Sequence, residues 1–588
     1  MTLVIGFSWP VDHDNSAAAI LDGKLVFATE EERHTRHKHA VREAPVKSLV
    51  KLIGHVRKLG VDPADVDAFA VNWSPKLFPI LYKNSLFFQG LMQVAPEIRS
   101  NGQRMSVARR WFNGGDYLGL SKYLIRHAYS LAGEDPPEKA KVIPVEHHLA
   151  HASSAYYFSG MNSGVALTID GSGERNSTVI WKIKGGEFEK VLALDTTDSS
   201  IGLLYEAMGS RVGYDSLEGP GKLMGLAPYG GTSPVFEKLG RFLRISEDGN
   251  GDVPYRISHH QKGGTQDTWA ESYLRTAAAV VDRASWDPRG KMDKTAADIA
   301  WATQKVAEEA VMATARWAKR NTAETNLLLA GGVSLNAKIN MEIFYSGLFN
   351  DIFIFPGAND AGSPIGAACY VYEKVVGGKM VNRRLTDVYL GPEYTDDEVA
   401  KVVRDSKWNS VSVGDGMEEV AKLMTSGKIV GIFQGRAELG PRALGDRSIV
   451  ADPTKKEMWG TVNQIKGREW WRPLAPSLID PKRYFIQGRP HEFMVLMYRF
   501  IEEAGDRVPA VRHVDGTARP QTVDNVDNQV WRNLIRSFED MTGEALIVNT
   551  SFNLAGEPLV ETPQDALRSF AVGGLDALYM QGRLIVKK

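Results

Sequence analysis

The densest run of metal-binding side chains is Glu146-His147-His148-Leu149-Ala150-His151-Ala152. His147 and His151 are four residues apart, so on a helix they share one face. Two imidazoles at that spacing suit a divalent cation. The glutamate that would complete the zinc-protease pattern is missing, so that chemistry is not read. Asp170 and Asp360 each follow an apolar run with strand character and could complete a mixed set. Imidazole with carboxylate suits iron, manganese or zinc, and composition does not choose among them. A polar helix with hydrogen-bonded histidines is the competing reading of the histidine pair alone.

A second group consists of glycine turns: Asp170-Gly171-Ser172-Gly173, Gly219-Pro220-Gly221-Lys222 and Gly331-Gly332-Val333-Ser334. All three are expected in loops. Backbone N–H groups free of Cβ crowding can cradle phosphate oxygens, and Lys222 could add a point charge. Each turn alone reads better as structure, but three in one α/β domain, beside a carboxylate pair, point to a nucleotide–metal site.

A third group lies further along. Arg436, Arg442, Arg447, Lys466, Arg468 and Arg472 fall among Gly, Pro and aromatic residues rather than among acids. Guanidinium groups in such company are partly buried and need anions, and their fork fits phosphate bidentately. A network holding Glu438 and other acids is the alternative. Downstream, Asn549-Thr550-Ser551-Phe552-Asn553 follows a strand and offers neutral hydrogen-bonding groups.

The elements that must position these groups read as α/β. Leu3–Phe7, a polar turn at His13–Ser16, Ala17–Leu21, Asp22-Gly23 and Leu25–Ala28 spell strand, turn, strand, turn, strand. Val165–Ile169, Asp170–Glu174, Ser177–Ile183, Gly185-Gly186 and Phe188–Leu192 repeat that order about 160 residues later. Such a repeat suggests a duplicated ATPase of the actin and sugar-kinase kind. Ala296–Lys319 is patterned as a long helix. Asn326–Ala330 and Ile352–Phe355 read as strands leading into glycine turns, the second followed by a helix over Gly362–Tyr372. Gly377-Gly378 and Gly391-Pro392 mark a boundary. Beyond it, Lys428–Phe433 and Ala545–Val548 are further strands.

Composition narrows the function classes. The chain has 588 residues, enough for roughly two to four domains. With 43% hydrophobic residues it folds, and a net charge of −1 speaks against bulk binding to nucleic acid or anionic membranes. One cysteine, Cys369, permits no internal disulfide and no cysteine-based metal cluster. No basic leader precedes an apolar run, and no window reaches about 18 apolar residues, so a cytoplasmic protein is expected. Phe78–Val94 is apolar but interrupted, and reads as a docked helical region.

Several of these stretches, taken with others, resemble the O-carbamoyltransferase family, which includes the nodulation-factor, cephalosporin and tobramycin carbamoyltransferases. The matching motifs are His13-Asp14-Asn15-Ser16, Glu30-Glu31-Glu32-Arg33 with Arg36 and Lys38, the His147–His151 block, Lys222–Gly230, Gly435–Gly445, His513–Arg519 and Asn549–Asn553. They run in the family's order over nearly the whole chain. Asn15 departs from the small or hydroxyl residue often found there.

The resemblance implies an α/β fold: a duplicated actin-like ATPase domain over residues 1–375, a connecting segment 376–400, and a YrdC-like domain over 401–588. It implies ATP and a divalent metal, iron first, with manganese or magnesium as alternatives. His147, His151, Asp170 and Asp360 would hold the metal. Gly171, Ser172, Gly173, Gly221, Lys222, Gly331, Gly332, Ser334 and Asn336 would bind the nucleotide. Carbamoyl phosphate would enter the C-terminal pocket, where Arg442 and Arg472 act on it and Arg436, Glu438, Arg447, Lys466, Arg468, Arg519, Asn549, Ser551 and Asn553 bind it. The carbamate formed there would pass internally, react with ATP to carbamoyl-adenylate, and reach a hydroxyl of a small-molecule acceptor. His13 could assist acceptor deprotonation and Lys38 could steady the carbamoyl oxygen. Trp73–Tyr129, with Arg104, Arg109, Arg110 and Trp111, could face a sugar or polyol. A homodimer is a further guess.

Three rivals share parts of this pattern. A threonylcarbamoyl tRNA modifier would want a basic RNA face. A hydrogenase-maturation enzyme would need cysteine-rich zinc motifs. An actin-like ATP sensor would not need the arginines.

Overall fold

The computed structural model describes residues 1–9, 13–77, 118–246, 251–259 and 268–587. Phe78–Val94, Arg104, Arg109, Arg110 and Trp111 lie outside them.

Two five-stranded sheets of the same topology build the first part of the chain. The first runs Lys24–Glu30, Ser16–Leu21, Leu3–Phe7, Ala68–Val71, Lys141–Pro144. The second runs Glu187–Asp195, Asn176–Lys184, Ser163–Ile169, Asn326–Ala330, Asp351–Ile354. In each, three antiparallel strands form a meander and two parallel strands extend it on the other side. The duplication read from the two strand–turn–strand segments is therefore real, and reaches to five strands per copy. The central strands Leu3–Phe7 and Ser163–Ile169 are almost wholly buried, as their continuous apolar text requires.

Two helices lie between the sheets: His147–Tyr157 against the second and Ser363–Val371 against the first. They touch through glycine. A Cβ on Gly366 would sit 1.8 Å from the Ala150 carbonyl oxygen, and one on Gly6 would sit 2.1 Å from that of Pro364. Backbone contact this close carries the histidine helix onto the strand ends. Gly366→Ala should therefore cost about 2–3 kcal/mol or more by overpacking. A thermal midpoint equal to wild type would show that these helices part freely.

The helix read over Ala296–Lys319 spans Lys294–Thr322, its start capped by Asp293 accepting from the Ala296 N–H. The Gly219-Pro220-Gly221-Lys222 turn is not a loop. It opens the helix Gly219–Leu226, where Pro is tolerated because the first N–H groups have no partner within the helix.

The last part of the chain forms an eight-stranded mixed sheet in the order Ser410–Ser412, Arg583–Val586, Ala577–Met580, Val430–Phe433, Arg447–Ala451, Leu546–Ser551, Ala475–Leu478, Gln521–Thr522. Its face is packed by the helix Gln529–Thr542 through Trp531, Leu534, Ile535 and Phe538. Among the described residues no helix is long and apolar enough to cross a membrane. Cys369 is buried.

Candidate metal centre and anion pocket

The two sheets deliver four ligands to one point. His147 and His151 open the central helix, Asp170 follows Ser163–Ile169, and Asp360 follows Asp351–Ile354. Their ligating atoms all lie within 4.8 Å of one another. The two Nε2 atoms are 3.1 Å apart, and His151 Nε2 is 3.1 Å from Asp170 Oδ2. His147 Nε2 stands 3.4 Å from Asp360 Oδ1 and 3.6 Å from Asp170 Oδ2. His147 Nδ1 faces the Asn72 carbonyl at 3.3 Å, which only accepts, so Nε2 is left to coordinate. Both rings are fully buried, and Asp170 Oδ2 has no hydrogen-bond donor. This donor set fits a divalent cation, with iron, manganese and zinc all suited to it. Burial disfavours a charged His147, yet Asp360 and Asp170 outweigh it and raise its pKa to about 10. A cation would take the place of that proton.

The surroundings of the quartet were not legible in the sequence. Trp73 stacks on His147 at 3.9 Å between ring centres. Glu174 accepts from the backbone N–H groups of His147 and Ser74, fixing the start of the ligand helix. Glu206, on the helix Ile201–Arg211, faces Gly171, and burial raises its pKa to about 7. His148 is structural: its ring nitrogens meet Thr168 Oγ1 and the Asn176 carbonyl at 2.9 and 2.7 Å.

The glycine turns divide. A Cβ on Gly171 would meet Glu206 Oε1 at 3.7 Å and Leu203 Cδ2 at 3.8 Å, ordinary contacts, and the Gly171 N–H donates to Asp170 Oδ1 at 2.7 Å. Gly331 has φ +89°, and its loop brings Gly332 against Asp170. Ser172 and Gly173 belong to the same turn, but a Cβ on Gly173 would strike the His148 ring. Ser334 bonds the Ala330 carbonyl, and Asn336 caps the next helix through the Ile339 N–H while pairing with Gln304. Lys222 reaches away, 3.1 Å from Glu218 and 3.8 Å from Glu469.

The arginines divide as well. Arg442, Arg468, Arg472 and Arg519 repel one another, with Lys466 beside them. Burial, then the Arg472 charge, lowers the pKa of Arg442 to about 10 and that of Arg468 to about 9. Burial and three neighbouring guanidinium groups push Arg519 well down. A guanidinium stays protonated, so this downward push reflects burial first and mutual repulsion second, both of which a bound anion would offset. The Nε atoms of Arg442 and Arg519 have no acceptor. Lys466 is held by Ser551 and Asn553, its Nζ 3.1 Å from Ser551 Oγ and 3.0 Å from Asn553 Oδ1.

Arg436, Glu438, Arg447 and Asn549 stand apart from that cluster. Arg436 donates to the carbonyls of Gly391 and Val26. Arg447 donates to the Gln434 carbonyl and stacks on Phe433. Glu438 Oε1 accepts from three backbone N–H groups, and Asn549 donates to the Ala443 carbonyl. Together they shape the loop that presents Arg442.

A cavity of about 490 Å³ lies between the two parts of the chain, walled by Met224, Trp301, Trp471, Met497, His513 and Arg519. Charged groups also bridge the parts: Lys38–Glu218 (2.8 Å), Glu218–Lys222, Lys222–Glu469 and Glu469–Arg472 (3.6 Å). A clasp adds to this. Arg33 donates to the Gly440 carbonyl at 2.7 Å, Glu30 accepts from the Gly440 N–H at 2.8 Å, and Arg36 donates to the Pro558 carbonyl at 3.0 Å.

Family models decide what kind of protein carries these sites. The carbamoyltransferase N-terminus model matches residues 4–369 and the carbamoyltransferase C-terminus model matches residues 421–587. The chain belongs to the carbamoyltransferase family. It is 31% identical to nodulation protein NolNO of Sinorhizobium fredii, over 98% of this chain and 79% of that protein. It is 28% identical to nodulation protein U of Rhizobium tropici, over 98% and 95%. An uncharacterized Synechocystis protein, sll1178, is 32% identical over 100% and 97%. Full-length HypF, solved with phosphate and nucleotide, aligns at a TM-score of 0.36 and 12% identity, over 64% of this chain and 56% of that one. In this carbamoyltransferase the metal quartet falls within the N-terminal match and the arginine cluster within the C-terminal one.

Proposed function

We propose an ATP-dependent O-carbamoyltransferase that works in two steps on two sites. The observation that carries this reading is a cluster of four guanidiniums, Arg442, Arg468, Arg472 and Arg519, compensated only in part by Glu469 at 3.6 Å from Arg472, in a carbamoyltransferase that also holds a His₂Asp₂ quartet. Carbamoyl phosphate binds residues 401–588 at Arg442, Arg468, Arg472 and Arg519, whose forks suit a phosphate dianion. Carbamate leaves that pocket past the cationic side chains Lys222 and Lys38, shielded from water. Within residues 1–375, the glycine turns at Gly171–Gly173 and Gly331–Gly332 take the ATP phosphates and nucleoside. His147, His151, Asp170 and Asp360 hold a divalent metal, iron by preference, which supplies charge neutralisation at the phosphates. Lys38 meets the carbamoyl oxygen of carbamoyl-adenylate. The acceptor is a small molecule with a reactive hydroxyl.

The test omits the acceptor. Purified protein is incubated with ATP, Mn(II) or Fe(II) and carbamoyl phosphate, and carbamoyl-adenylate is sought by mass spectrometry. The expected peak is lost in His147→Ala and in Arg442→Ala. Threonylcarbamoyl-adenylate from threonine and bicarbonate, with nothing from carbamoyl phosphate, would replace this reading with tRNA modification.

A further inference from the structure

A second cavity, of about 730 Å³, opens on the eight-stranded sheet and takes no residue from the metal quartet or the four-arginine cluster. Val430–Phe433 and Ala577–Met580 are parallel neighbours, with Phe433 opposite Met580. Gln434 and Gln581 therefore leave the sheet side by side at the carboxyl ends of two strands, the place where α/β sheets take ligands. Both glutamines line the cavity, and both have the same unmet need. Gln434 Nε2 donates to the Gly445 carbonyl at 3.3 Å, and Gln581 Nε2 donates to the Tyr394 carbonyl at 2.9 Å. A carbonyl only accepts, so these contacts fix the amide nitrogens and leave each Oε1 as the other end. Neither oxygen has a donor, although both are buried and Gln434 is only 5% exposed.

Acids surround them. Asp446 is buried in the lining, while Asp396, Asp415 and Asp527 are exposed. Asp446 Oδ1 accepts from Asn528 Nδ2 at 2.8 Å, and Oδ2 lies over Gly435, where a Cβ would come within 2.6 Å of it. Asp415 accepts from the Tyr579 hydroxyl at 2.9 Å. Among the described residues, none of the four aspartates forms an ion pair with a lysine or arginine. Two arginines also line the cavity. Arg436 donates to the carbonyls of Gly391, Leu390 and Val26, and Arg583 donates to that of Gln581. Burial first, then Glu438, holds the Asp446 carboxyl well above the usual carboxylate range, and the Arg447 charge offsets only part of this.

The spacing of the acids selects the occupant. Among the described residues, the sets of ligand atoms that converge within 4.8 Å are the metal quartet and Asp14, Glu32 and His39, the latter set beside His13. The aspartates of this cavity form no such set, so they do not suit one compact metal ion. Separated carboxylates, with two amide oxygens that need donors, suit a flexible chain carrying several N–H groups and more than one positive charge. We infer that this cavity binds a linear aliphatic polyamine, with one ammonium at Asp446, Gln434 and Gln581 and the others at the exposed aspartates. The inference uses no residue of the two proposed active sites, so it stands or falls apart from the two-step reading.

The test is a calorimetric titration of spermidine into the whole chain, loaded with Mn(II), at low ionic strength. Putrescine, butylamine and glycerol are run in parallel. Spermidine should bind more tightly than putrescine, butylamine far more weakly than either, and glycerol not at all. Added salt should weaken spermidine most. Asp446→Asn keeps an acceptor for Asn528 and should weaken spermidine about tenfold or more, the loss of one charge-assisted contact. Asp527→Asn changes only an exposed side chain, leaves the core intact, and should weaken it about two- to fivefold. Butylamine binding as tightly as spermidine, or glycerol binding in its place, overturns the proposal. So does spermidine affinity that is unchanged in both variants. Displacement of spermidine by Mg(II) at constant ionic strength would mark a metal site and would overturn it too.

Discussion

In a His151→Ala variant, metal-supported formation of carbamoyl-adenylate falls by far more than the ~10–100-fold that changes outside the coordination sphere cost. In the proposed centre the ring is one of four ligands, and its Nε2 lies 3.1 Å from both His147 Nε2 and Asp170 Oδ2. Three ligands remain, two of them carboxylates with little selectivity for iron or manganese over magnesium. Mn(II) affinity, read by titration, should drop with the activity. An active variant that still binds one Mn(II) as wild type does would dissociate the quartet from the chemistry.

The same centre sets a pH dependence. His147 is raised from 6.5 to about 10 in the metal-free fold, so its contribution to that fold is full below pH 6.5 and disappears as pH rises through 10. Metal binding must expel that proton. Affinity for Mn(II) should therefore rise about tenfold per pH unit across the neutral range. A flat profile between pH 6 and 9 would show that His147 is already neutral before the metal arrives.

Arg442→Ala should weaken carbamoyl phosphate and strengthen the fold at once. Loss of a charge-assisted fork costs about 1.5–3 kcal/mol of binding, or roughly 10- to 150-fold in KM. The stability change has the opposite sign. Arg442 is buried beside Arg472 and Arg519, with a Nε that has no acceptor, so removing it relieves repulsion. Each kcal/mol gained raises the thermal midpoint by roughly 2–4 °C. Inorganic phosphate should stabilise the wild type and lose most of that effect in the variant. A variant less stable than wild type in phosphate-free buffer would mean that an acid already compensates this arginine. Arg442→Lys would keep the charge without the fork, and should recover stability to anions more than it recovers KM.

Local pattern was enough for the quartet, because each ligand carries its own mark: helical spacing for His147 and His151, a strand end for Asp170 and Asp360. Duplication was legible for a similar reason, since each meander is contiguous in the chain. Of the parallel strands, Asn326–Ala330 and Ile352–Phe355 were read and complete the second sheet, whereas Ala68–Val71 and Lys141–Pro144, which reach the first sheet only through long crossovers, were not. Lys466, Ser551 and Asn553 were marked by their short spacings and do meet. The arginines were not separable in sequence. Arg436 and Arg442 have almost the same neighbours in the chain, yet one donates to main-chain carbonyls and the other leaves its Nε without an acceptor. Which carbonyl lies opposite is decided by residues 26 and 391, far from either. Glu206, Trp73 and Glu174 were missed because a lone acid or aromatic carries no local mark, and only packing brings them to the centre. The Gly219–Lys222 stretch misled because glycine and proline open a helix as readily as they make a loop.

The clasp on Gly440 bears on how such a protein can change through evolution. Two enzymes fused only by a tether can exchange halves freely, each keeping its own history. Here Glu30, Arg33 and Arg36 grip the main chain of Gly440 and Pro558, and a main-chain partner presents the same atoms whatever its side chain. Halves from different lineages would therefore fit wherever the loop keeps its path. What cannot drift is that path, so selection falls on the Gly440 turn, at φ +97°, rather than on complementary pairs of side chains. A chimera joining this N-terminal half to a distant C-terminal half should assemble if glycine is kept at 440, and come apart if it is not.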